Sequence, residues 1–149
     1  MNVIKIQCDI LRELKKRYKK TYYIEKIDSV VLVGDGYRIF VIRNEDFYLD
    51  VKKITEEGML RINGLRPILE GSEKAKLARR STRESNQYSY TLCEIKNDEC
   101  SYWVKKAFLD PFDYPDYKIS PDNNRVYVYE GDVLVSIVLP VRVSEDFEC

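Results

Sequence analysis

Apolar and polar positions alternate most cleanly over residues 29–50, SVVLVGDGYRIFVIRNEDFYLD, where two β-branched and aromatic runs flank Gly34-Asp35-Gly36 and a third short run follows at 47–51. Such a pattern predicts a tight hairpin and a further strand, because glycine accepts the positive φ that a strand reversal needs. A strand is expected before it at 22–27 and another at 2–7, where Val3, Ile4 and Ile6 cluster. Between these two, Asp9 is placed to cap a helix running to Lys20, in which Ile10, Leu11, Leu14 and Tyr18 return at helical spacing. The four runs within residues 22–51 imply an antiparallel sheet packed on this helix.

After residue 51 the pattern changes. Residues 53–60 suggest a helical turn or two, Asn63-Gly64 a break, and Pro67 a short segment ending at Gly71. A second helix is expected over 72–83: its sequence EKAKLARRSTR offers Ala75, Leu77 and Ala78 for burial and turns Lys74, Lys76, Arg79, Arg80 and Arg83 outward. Alternation resumes at 88–96 and 100–108 around Asn97-Asp98, a second hairpin with Tyr102 and Trp103 in its return strand. The single Trp is read either as sheet packing or as a base-stacking platform. Residues 109–121 hold three of the five prolines and are expected to be an irregular connector. A third hairpin turns at Gly131-Asp132 between 125–130 and 133–143. Its second strand is apolar nearly throughout and so buried on both faces, with Pro140 marking an edge or bulge. The expected fold is α+β, antiparallel hairpins packed on two helices. One domain is expected over 1–149, with a basic segment at 66–86 and an acidic tail at 144–149.

Composition narrows the function. The 149 residues suffice for a core without disulfides, 34% are charged, and no apolar run reaches the 18 or so residues of a membrane span. The first residues lack the apolar core and cleavage site of a signal peptide, so a cytoplasmic protein with no membrane partner is expected. Cys8, Cys93, Cys100 and Cys149 form no C-x-x-C pair and are read as reduced thiols, although Cys93 and Cys100 could face each other across a hairpin. With no histidine, Ser-His-Asp and Cys-His catalysis are excluded and the common zinc frameworks are missing. No phosphate-binding loop occurs, and Gly34-Asp35-Gly36 lacks the third glycine of a dinucleotide fingerprint. The acidic pairs Glu45/Asp46, Glu56/Glu57 and Asp113/Asp116 are read as solvated turn carboxylates before Mg²⁺ ligands. No cofactor, metal or catalytic residue is assigned, and the chain is expected not to be an enzyme.

Charge supplies the remaining signal. Lysine plus arginine equals aspartate plus glutamate at 25 each, yet residues 97–149 carry 11 acids and 5 bases, leaving 20 bases and 14 acids in 1–96. An uneven distribution steers an anionic partner even at zero net charge. Arg12, Lys15, Lys16, Lys19 and Lys20 on the first expected helix, with Arg79, Arg80 and Arg83 on the second, are the candidate nucleic-acid-binding residues. A solvated, dipole-complementing helix end is the competing reading of the first group, and a surface excursion that of the second.

Three strings resemble the bacterial sliding clamp of replicative DNA polymerase. Residues 33–39, VGDGYRI, resemble its V-A-T-D-G-H-R-L hairpin; residues 112–117, FDYPDY, its F-P-D-Y connector; and residues 139–143, LPVRV, its C-terminal M-P-M-R-L. The opening IKIQCDILRELKK is similar to the start of a clamp domain. Over the whole chain, the strings D-G-Y-x-x-F-V-I, F-Y-L-D, V-Y-V-Y-E and L-P-V-R are similar to those of small uncharacterised Firmicutes phage proteins. The resemblances imply a phage protein that meets DNA phosphates through basic helices. A single such domain cannot encircle DNA, so a ring implies a homo-oligomer. The expected function is non-enzymatic binding of DNA or of a host nucleoprotein. The alternative is an anti-CRISPR or other anti-defence or host-takeover inhibitor acting by protein contact, to which the 12 tyrosines are suited.

Overall fold

Asn2 sets the start of the first element. In the computed structural model, which describes residues 1–14, 23–50, 73–84 and 89–143, the Asn2 side-chain oxygen accepts the Lys5 N–H at 2.9 Å and its carbonyl accepts that of Ile6 at 3.1 Å. That is an N-cap, and helix α1 runs Val3–Leu14. The strand expected at 2–7 is therefore the helix's opening turns, and Asp9 lies inside the helix instead of capping it. Val3, Ile6 and Ile10 fall at i, i+3 and i+7, and Ile6 and Ile10 are buried. The rest of the expected helix, with Lys15, Lys16, Lys19 and Lys20, lies outside the described residues, as do the expected elements at 53–60 and 67–71 and the acidic tail.

The chain divides into two compact units, Met1–Pro67 and Ile68–Cys149. In the first, β1 (Tyr23–Ile27), β2 (Val30–Gly34) and β3 (Arg38–Arg43) form an antiparallel sheet. The hairpin turns where expected: Asp35 Oδ1 accepts the N–H groups of Tyr37 and Arg38, both at 3.1 Å, and Gly36 has φ 87°. Gly34 serves differently, since a Cβ there would sit 3.0 Å from the Arg38 carbonyl oxygen. Val31, Leu32, Val33, Ile39, Phe40 and Ile42 are buried.

No strand follows this hairpin through Asp50, in contrast to the expectation at 47–51. A 3-10 turn at Asn44–Asp46 comes next, and the buried Gln7 side chain satisfies the backbone there. Its amide donates to the Asp46 carbonyl at 2.9 Å, and its oxygen accepts the Tyr48 N–H at 2.7 Å. A helix side chain thus replaces a neighbouring strand.

The second unit is a six-stranded antiparallel sheet: β4 (Glu73–Glu84), β5 (Ser89–Lys96), β6 (Ser101–Lys105), β7 (Asp116–Ile119), β8 (Val126–Glu130) and β9 (Val133–Val138), in the order β9-β8-β7-β4-β5-β6. A one-turn helix α2 (Lys106–Leu109) follows β6, so the return strand of the second hairpin ends three residues before the expected 108. β7 lies within the stretch expected to be an irregular connector. The third hairpin forms as expected, but its second strand stops at Val138. Beyond Pro140, the Val141 N–H donates to the Trp103 carbonyl at 2.7 Å, so the chain leaving β9 reaches edge strand β6. Cys93, Ile95, Val104, Ile119, Val126, Val128 and Val138 are fully buried on one face of this sheet.

The helix expected over 72–83 is instead the 12-residue strand β4. Its start pairs with β7, from Glu73↔Ile119 to Ala75↔Tyr117, and its remainder with β5, from Lys76↔Lys96 to Glu84↔Ser89. Ladder bonds on successive sides override the helix preference of a Lys, Ala and Arg run. Nine strands and two helices make the described chain α+β. Among the described residues no helix is long and apolar enough to cross a membrane.

Candidate nucleic-acid interface

One extra residue in β4 decides which side chains stand together. Leu77 faces Ile95 in the ladder but Arg79 faces Glu94, so the strand carries a bulge around Ala78. Side chains alternate faces along a strand, and a one-residue bulge reverses the phase. Lys74 and Lys76 before the bulge therefore share a face with Arg79 and Ser81 after it. Directly opposite partners share a face as well: Lys118 stands opposite Lys74, Lys96 opposite Lys76, and Glu94 opposite both Arg79 and Trp103.

Arg79 is held from two sides. Its Nε donates to Glu94 Oε2 at 2.7 Å and its guanidinium lies 5.0 Å from the Trp103 ring centroid. Glu94 also accepts the Ser101 hydroxyl at 2.6 Å. Burial pushes the Glu94 carboxyl up, but the Ser101 and Arg79 hydrogen bonds and the charges of Arg79 and Lys96 outweigh it, and the pKa ends below the ordinary glutamate value. The carboxylate is thus ionised at neutral pH and fixes Arg79, whose side chain stays 50% exposed while that of Glu94 is 10% exposed.

The lysines line two adjoining hollows. One, of about 290 Å³, is lined by Lys74, Lys76, Lys118 and Tyr129 together with Asp116 and Asp132; the other, of about 470 Å³, by Lys74, Lys76, Leu77, Lys96 and Asp98. Lys118 Nζ lies 4.6 Å from the Tyr129 ring centroid. Among the described residues, Lys74, Lys76, Lys96 and Lys118 form no ion pair, so their charge is available to an anion.

The residues proposed from sequence divide. Arg12 lies on α1 and is bonded to Asp9 at 3.0 Å; Lys15, Lys16, Lys19 and Lys20 lie outside the described residues. Arg79 belongs to the basic face. Arg80 points to the opposite one, where burial raises the Cys93 thiol pKa against the opposing charge of Arg80. Arg83 stands opposite Tyr90 in the ladder. Lys74, Lys76, Lys96, Lys118 and Glu94 were not in the sequence-derived set, Trp103 entered it only as an alternative to sheet packing, and their convergence depends on strand register. Cys93 stands opposite Val104, so it does not face Cys100, and both are free thiols. Glu45 and Asp46 both pair with Arg43, at 2.9 and 2.8 Å; Glu56 and Glu57 lie outside the described residues. No cluster of three or more metal-ligating side chains occurs among the described residues.

No protein-family model matches the chain, and neither does a curated protein or a solved structure.

Proposed function

We propose that this chain is a non-enzymatic phage protein of the bacterial cytoplasm whose basic sheet face contacts the phosphates of nucleic acid, as free DNA or within a host nucleoprotein. The observation that carries the reading is the β4 bulge, which sets Lys74, Lys76 and Arg79 on one face beside Lys96 and Lys118. Lysines that form no ion pair among the described residues suit a phosphate backbone, because binding it releases condensed counterions without any need for fixed geometry. The second of the two basic elements expected from sequence enters this reading as a strand, and Lys15, Lys16, Lys19 and Lys20 of the first lie outside the described residues. The test is binding of a short DNA duplex as a function of salt. The wild-type logarithmic slope should be steep, and Lys74, Lys76 and Lys96 changed together to Ala should reduce it by about 0.9 for each phosphate no longer neutralised. Absent binding, or a slope the triple variant leaves unchanged, contradicts the reading. Solution mass with and without DNA tests whether copies assemble into a clamp-like ring.

A second reading, an anti-defence inhibitor acting by protein contact, is supported by exposed tyrosines: Tyr37 is 65%, Tyr48 69% and Tyr114 99% exposed. Tyr114 also holds φ 49°, a conformation uncommon for an aromatic residue. Tyrosine is enriched at protein interfaces. Capture of one stoichiometric, nuclease-resistant host protein that Tyr114→Ala releases supports this reading; a nuclease-sensitive haul opposes it.

A further inference from the structure

We infer that the ligand of the basic face is a single-stranded nucleic acid, with a base stacking on the Arg79 and Trp103 pair, an inference that rests on the phosphate-binding reading above. Lysines alone do not distinguish a duplex from a single strand. The distinction comes from the row Arg79, Glu94 and Trp103, which crosses β4, β5 and β6 on one face.

Glu94 engages the Nε of Arg79, and the Trp103 ring supports one side of the guanidinium plane. A half-exposed planar cation fixed in this way leaves its terminal nitrogens for a phosphate or base edge and its outer side for a base. Guanidinium planes and aromatic rings are what proteins stack unpaired bases upon, and a duplex keeps its base faces buried in its own stack.

Beyond this row the same side of β5 carries the buried Leu92 and then Tyr90, which is 40% exposed. The lysines lie in the other direction, at alternate strand positions spaced roughly 6.6 Å apart. A single strand tracking β4 would therefore meet phosphate-binding cations first and stacking groups after them.

Trp103 is the sole tryptophan, so its fluorescence reports the platform directly. The full chain would be titrated, at one salt concentration, with a 15-nucleotide oligothymidine, the same strand carrying abasic sites, and a duplex of equal length. Expected is quenching of Trp103 and oligothymidine affinity roughly five- to hundredfold above that for the abasic strand, the range one stacked base supplies. The duplex should bind more weakly than the oligothymidine. Arg79→Lys, which keeps the charge but loses the plane, should weaken oligothymidine severalfold and by a larger factor than it weakens the abasic strand. Equal affinity for intact and abasic strands, a duplex that binds as well as the single strand, or an unaffected Arg79→Lys variant overturns this inference while the phosphate reading stands. No binding to any of the three overturns both.

Discussion

Helix α1 and strand β4 are each 12 residues long and carry lysine and arginine, yet they are held by opposite means. The helix completes its backbone hydrogen bonds internally, so its place depends on side chains: Ile6 and Ile10 are buried, and Gln7 bonds to the backbone at Asp46 and Tyr48. The strand completes its bonds with β7 and β5, and from Glu73 to Thr82 none of its side chains is buried. An element held by its ladder is free to carry charge at nearly every position. The basic face therefore lies on a strand that contributes little to the core, and α1 has less freedom because its apolar stripe is committed to packing.

The most severe test of this contrast is Ile10→Ala. Ile10 is 2% exposed, and truncating a buried isoleucine costs about 2–5 kcal/mol through lost transfer energy and the cavity left behind. Chemical denaturation should show the loss as a lower midpoint with little change in slope. A cost below about 0.5 kcal/mol would mean that α1 is not docked by this stripe.

The dependence of β4 on its neighbours is tested by pH. Tyr117 on β7 stands opposite Ala75 in the ladder, and burial, with the charges of Cys93 and Asp116 and against that of Arg80, pushes its hydroxyl up from 10.0 to about 12. The folded state holds this proton more tightly than the unfolded chain. Its stabilisation is therefore fully present below pH 10 and is lost as the pH rises from 10 to about 12. The total is about 2–3 kcal/mol. Tyr117→Phe keeps the ring and removes the titration, so its stability should decline less between pH 9.5 and 12 than that of the wild type. Parallel declines would show that Tyr117 does not set this alkaline limit.

The contrast also accounts for what could be read from sequence. Hairpins are local: Asp35-Gly36, Asn97-Asp98 and Gly131-Asp132 each mark a reversal that the structure contains, because turn chemistry and flanking alternation lie within about 15 residues of each other. Asn2 was legible as a cap in principle, but Val3, Ile4 and Ile6 compress into a run that also fits a strand. β4 was not legible. Its composition favours a helix, and what makes it a strand is pairing with Ser89 to Lys96 across a hairpin and with the distant Asp116 to Ile119, from Glu73↔Ile119 to Ala75↔Tyr117. The site followed the same rule. Arg79 was visible as a cation, whereas Glu94, Trp103, Lys96 and Lys118 join it through register, and the bulge that sets the phase at Ala78 has no turn residue to announce it.

The mildest perturbation is the most specific to β4. Leu77 is its one large aliphatic residue, 36% exposed, beside the bulge and opposite Ile95. If β4 were anchored as α1 is, Leu77→Ala would approach the cost of Ile10→Ala. If its ladders hold it, the loss should stay below about 1 kcal/mol, since a third of the side chain is already in water and full burial of a leucine is worth only about 1.5–3 kcal/mol. Leu77 shares the face of Ala75 in the ladder but also helps line the hollow of Lys74, Lys76 and Lys96, so stability, and not binding, is the readout for this variant. Chemical denaturation separates the outcomes. A loss approaching that of Ile10→Ala would give β4 a side-chain anchor, and a loss below about 1 kcal/mol leaves the ladders as what holds it.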